Sequence, residues 1–128
     1  MKAKLLKTAG PGAEAVLLIN DREYCVRDGF SWSADRAPTA GGEFEVELSA
    51  ELDSSWSWEH IFAANPDHSV GLKPLGGWSY LAQGKILSID PVCIDCGILV
   101  EERAVYSHDP GVVGAFVGFR IEVLDAAG

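Results

Sequence analysis

Apolar and polar positions first fall into a clear pattern at residues 15–27. Ala15, Leu17 and Ile19 alternate with Val16 and Leu18, and Asn20-Asp21 follows as a two-residue turn. Residues 22–27 return as a second strand. This turn pairs Ile19 with Arg22, Leu17 with Tyr24 and Ala15 with Val26, so Ala15, Leu17, Tyr24 and Val26 are the expected core face. Residues 2–7 are expected to form a strand before the hairpin, connected through Gly10-Pro11-Gly12.

Residues 28–42 are rich in Gly, Ser, Asp, Ala and Pro and read as a long loop, a kind of segment that is often functional. A strict alternation follows: Phe44, Val46 and Leu48 on one side, Glu43, Glu45 and Glu47 on the other. That is a half-buried strand with carboxylates on its outer face. Trp58, Ile61 and Phe62 have helical spacing before Pro66, while Trp56 and Trp58 would equally share one face of a strand; a short helix is the expectation over residues 55–64, with a loop over 65–77. Residues 80–90 then read as a long strand with a bend or bulge expected at Gly84. Residues 92–102 read as a returning strand with Val92, Ile94, Cys96, Ile98 and Val100 on one face. His108-Asp109-Pro110-Gly111 has turn chemistry. Residues 115–124 close the pattern, with Val117, Phe119, Ile121 and Val123 inward.

The sum is a mainly β chain: a small antiparallel barrel or rolled sheet with one short helix. Its 128 residues suit a single domain, residues 1–128. The C-terminal half resembles the strands of an OB-type barrel: a bent strand at 80–90, a returning strand at 92–102 and a closing strand at 115–124. That resemblance of architecture implies oligonucleotide or oligosaccharide binding, by analogy of fold alone. Ala3-Lys4-Leu5-Leu6 echoes Gly84-Lys85-Ile86-Leu87, which shared β patterning explains without a duplication.

Charge narrows the function classes. The chain has 10 Lys plus Arg against 19 Asp plus Glu, a formal charge of −9. Nucleic-acid backbones and anionic membranes are bound by displacing counterions with basic residues, so both are disfavoured. A nucleic-acid face would need Lys85, Arg103 and Arg120 to converge. A basic protein is the favoured partner, because opposite fields steer encounter. No signal-like leader or long apolar run is apparent, and three cysteines suit a reducing compartment, so a cytoplasmic location is expected.

The candidate chemistry is sparse. Cys93-Ile94-Asp95-Cys96-Gly97 matches the knuckle that presents two thiolates to zinc, with Cys25 and one of His60, His68 and His108 to complete the site. In a regular strand, however, Cys93 and Cys96 point to opposite faces. Each histidine has an acidic sequence neighbour or a turn, yet no nucleophile elbow or phosphate-binding glycine motif accompanies them, and no catalytic residue is assigned. Glu43, Glu45 and Glu47 diverge into water as strand carboxylates do, which suits a solvated face better than a calcium site. Trp32, Trp56, Trp58 and Trp78 stand in Gly/Ser-rich surroundings and offer large contact area at low entropy cost, or else cap the core. The expectation is a non-enzymatic protein-binding module. It would contact its partner through these tryptophans and through Glu43, Glu45 and Glu47. An OB-like nucleic-acid or ligand-binding domain and a zinc-stabilised domain are the alternatives.

Overall fold

The Asn20-Asp21 turn forms as its chemistry dictates. Both residues have positive φ, 50° and 64°, which matches the turn's twist to that of its strands. In the computed structural model, which describes residues 1–56, 58–102 and 104–128, this turn joins β2 (Glu14–Ile19) to β3 (Arg22–Gly29). Leu17 pairs Tyr24 and Ala15 pairs Val26, in the expected register. All four of these side chains are buried.

The remaining strands are β1 (Lys2–Thr8), β4 (Glu43–Glu45), β5 (Glu47–Leu52), β6 (Gly71–Gly76), β7 (Ser79–Ser88), β8 (Cys93–Asp95), β9 (Val100–Glu101) and β10 (Phe116–Ala127). The one α-helix among the described residues, α1, is Trp58–Ala63, within the expected span. The fold is therefore mainly β with one short helix. No helix among the described residues is long and apolar enough to cross a membrane.

Two compact units divide the chain. The first comprises Met1–Glu51, Gly76–Trp78 and Val123–Gly128. Its strands run β4-β1-β2-β3-β10. Leu5, Leu17, Ile19, Val26 and Leu124 are fully buried within it. The β3–β10 pair is parallel, Arg27 opposite Asp125, in an otherwise antiparallel order. Arg27 secures it: Nε and Nη2 donate to the two Asp125 carboxylate oxygens at 2.6 and 3.0 Å. Nη2 also reaches Glu51 at 2.7 Å, and the guanidinium carbon lies 5.9 Å from the Trp78 ring centre. One planar cation thus ties β3, β5, β10 and the Trp78 turn together.

The second unit comprises Leu52–Leu75 and Ser79–Glu122. There β7 pairs with β10, β8 and β6, and β8 with β9. Its core includes Ile61, Leu72, Ile86, Ile94, Val117 and Ile121. Buried Asn65 holds the segment after α1: it donates to the carbonyls of Ser69 and Val117 and accepts from the Ser69 amide.

Several boundaries differ from the sequence expectation, each for a local reason. Residues 92–102 are not one strand. The chain turns back at Gly97, whose φ of 88° favours glycine, and Ile94 faces Glu101 while Asp95 faces Val100. Val100 is consequently exposed and Leu99 buried. Residues 65–77 contain β6, a strand masked in the sequence by Pro74, which is acceptable where a strand has one partner. In β10 the inward positions are Val117, Phe119 and Ile121, then Leu124 and Ala126. Val123 drops out of the inward set where β10 leaves β7 (Ile121 opposite Tyr80) and joins β3. The irregularity in β7 lies between Ile86 and Ser88, not at Gly84.

Gly84 is required for another reason. A Cβ there would lie 2.2 Å from the Asp95 carbonyl oxygen and 2.9 Å from Cys96 Sγ. Gly84→Ala should destabilise the protein by about 3 kcal/mol, since backbone rather than a flexible side chain blocks the space. Urea denaturation checks this; a loss under about 0.5 kcal/mol would contradict the packing described.

Candidate functional site

The long loop expected over 28–42 begins at Phe30, two residues later, because Asp28 and Gly29 still belong to β3. Asp28 is the loop's foundation. It is 1 % exposed, and its carboxylate accepts from Phe30 N, Ser31 N, Ser31 Oγ and Thr8 Oγ1. Its backbone also bonds Gly12 and Ala13 in the β1–β2 connection. Burial by itself pushes the carboxyl upward; the hydrogen bonds from Ser31, Thr8 and Phe30 outweigh it and hold it below its usual value.

This anchorage sets Phe30 inward and turns the next residues out. Phe30 meets Phe44 of β4 edge-to-face, ring centres 4.8 Å apart. Above that pair lies an open cleft of about 410 Å³, lined by Phe30, Trp32, Arg36, Pro38, Phe44 and Glu45 among others. Trp32 is 72 % exposed, so the largest apolar side chain of the loop is left in water at the wall of an aromatic cleft. A single cleft thus brings together two residues singled out from the sequence, Trp32 and Glu45. Phe30, Phe44 and Arg36 join them without having been expected there. The signal that was available is the Asp-Gly-Phe-Ser segment closing β3, whose aspartate can bind the amides that follow it.

The other candidates have separate settings. Glu43, Glu45 and Glu47 are all exposed, on the side opposite Phe44, Val46 and Leu48. Trp78 is half-buried beside Arg27 in the first unit. Trp56 is half-buried in the second unit, where it and His60 line a smaller cleft of about 340 Å³. The Trp58 side chain and Arg103 lie outside the described residues. Arg120 sits 3.7 Å from the Asp53 carboxylate, and Lys85 lies over the Phe116 ring. His68 stacks on Phe116 with ring centres 4.5 Å apart, and exposed His108 pairs with Asp90.

Cys96 is buried against Gly84, whereas Cys93 is half-buried near Ser88 and Glu102. Burial and neighbouring carboxylates push the Cys96 thiol up to about 12, and burial and Glu14 push that of Cys25 to about 11. Cys93 is raised as well, chiefly by burial. These thiols stay protonated at neutral pH and are poor nucleophiles. Among the described residues no group of three or more His, Cys, Asp or Glu side chains is placed to hold a metal ion.

No protein-family model, curated protein or solved structure matches the chain.

The Asp28 geometry has an acid signature. A carboxyl depressed in the folded state stabilises fully above its unfolded value, about pH 4, and loses that contribution as pH falls through its folded value. Asp28→Asn should therefore cost about 2–3 kcal/mol at neutral pH. The gap to wild type should narrow as pH falls below about 4 and through the lowered folded value, as followed by denaturation at each pH. A gap that stays constant would show that the Asp28 charge contributes nothing.

Proposed function

We propose that this protein is a non-enzymatic binding module. Its first unit receives an apolar or aromatic side chain of a basic protein partner in the Phe30–Trp32–Phe44 cleft. The observation that carries the reading is Trp32, 72 % exposed on a loop whose base is fastened by a fully hydrogen-bonded buried carboxylate. Water penalises a large exposed ring, and ordering its base lowers the entropy lost on contact. Exposed tryptophans beside a ready-made aromatic floor are the usual seat of interface hot spots. Glu45 at the rim, Glu43 and Glu47 beside it and the overall charge of −9 select a basic partner and speed its approach. The three free thiols suit a cytoplasmic setting.

The reading is tested with a display library of short peptides panned against the purified protein. Enriched sequences should combine Lys or Arg with an aromatic residue, and their affinity should fall as salt rises. Trp32→Ala should lower that affinity about 30-fold, the equivalent of the ~2 kcal/mol hot-spot threshold. Because Trp32 is exposed, the melting temperature should stay close to wild type. Salt-independent binding, or unchanged affinity in Trp32→Ala, would overturn the reading.

A further inference from the structure

The edge of the first unit's sheet adds a second recognition element to the cleft. β4 has β1 on one side; on its other side the strand that continues it, β5, pairs with β10, so the stretch left without a partner there is Glu43–Glu45. Its register with β1 is Lys2–Glu45, Ala3–Phe44 and Lys4–Glu43. The flanking bonds, Leu5 N to Gly42 O and Val46 N to Met1 O, mark the even-numbered residues as those that bond β1. In an antiparallel ladder the residues between them turn their N–H and C=O away from that partner. The backbone groups of Glu43 and Glu45 therefore face the open edge. Among the described residues no turn, loop or cap hydrogen bond reaches them.

We propose that β4 is a docking edge that accepts an extended segment of a basic partner protein as an added β-strand. The segment alternates basic and apolar side chains. This deepens, and rests on, the binding-module reading above. Side chains of paired strands share a face position by position. Residues of the incoming segment opposite Glu43 and Glu45 meet carboxylates and are Lys or Arg. The residue opposite Phe44 falls on the cleft side, beside Trp32 and Phe30, and is apolar. Glu45 belongs to both elements, an edge position and a cleft wall; its side chain is 74 % exposed and carries only a solvent-accessible ion pair with the Met1 amino group. Glu43 and Glu47 form no ion pair among the described residues. The same carboxylates exclude a second copy of this chain, because pairing β4 with β4 sets like charges face to face. Main-chain bonds supply affinity and the alternate pockets supply selectivity, as in other strand-addition complexes.

The test uses the full chain and the peptide Lys-Val-Lys-Phe-Lys-Val-Lys, with a Glu-for-Lys version as control. Two further versions carry N-methyl groups on alternate residues, one set on the odd positions and one on the even. On binding, the Glu43 and Glu45 amides should gain protection from hydrogen exchange while Phe44, already bonded to β1, should not change. One methylated set should lose at least tenfold in affinity and the other little, since only one row of amides faces β4. The Glu version should not bind. If both methylated peptides bind like the parent, or the parent leaves the Glu43 and Glu45 amides unprotected, strand addition is wrong. The cleft reading then stands or falls separately on whether Trp32→Ala weakens the parent peptide. Failure of the parent to bind at millimolar concentration would also overturn strand addition.

Discussion

A carboxylate cannot be buried without hydrogen bonds, and the cleft-bearing end of the first unit is arranged around that constraint at Asp28. The cost of taking an unsatisfied charge out of water is several kcal/mol. Four donors meet the carboxylate, and three of them come from the two residues that follow Gly29. Satisfying the charge therefore fixes the path of the chain as it leaves β3. Phe30 is turned down onto Phe44, and Trp32 is left at the surface. The aromatic cleft is thus a consequence of solvation chemistry two to four residues upstream.

Arg27, the preceding residue, meets the complementary demand. Strand alternation sends its side chain to the opposite face, where Asp125, Glu51 and Trp78 surround it. A parallel β3–β10 pair cannot be closed by a tight turn, so it depends on long-range contacts, and the bidentate Arg27–Asp125 bridge is one that specifies register. Two adjacent residues therefore serve two faces: Asp28 builds the loop, and Arg27 seats the last strand. The guanidinium pKa is raised, first by its bond to Asp125 and then by Glu51, in keeping with a cation held by two carboxylates.

Short strands that change partners explain most of what differed from the sequence expectation. The alternation from Phe44 to Leu48 reads as one strand, and the side-chain faces are as expected. Hydrogen bonding divides it at Val46 between β4, on β1, and β5, on β10. Residues 92–102 kept the buried set Val92, Ile94 and Cys96, then reversed at Gly97. In β10 the inward positions slip by one after Ile121. In each case the apolar pattern records which side is dry; the location of the partner strand is absent from it. The candidate site was partly legible for the same reason. Trp32 and Glu45 are conspicuous residue types, whereas Phe30 and Phe44 look like ordinary core positions until the loop folds one onto the other.

Local chemistry alone determined the hairpin at Asn20-Asp21, its register and its buried face. It also determined the carboxylate row at Glu43, Glu45 and Glu47, the short helix before Pro66 and the mainly β class. These depend on turn geometry and on side-chain periodicity, which act over a few residues. Tertiary structure decided what no window of sequence contains. It set Phe30 against Phe44, brought Asp125 to Arg27 across 98 positions and left β4 at an edge. It also denied a side chain to Gly84 because the Asp95 carbonyl lies where Cβ would be. Those outcomes depend on which distant segments fill the same space. Close packing and the satisfaction of buried polar groups select among such arrangements only once the whole chain is present.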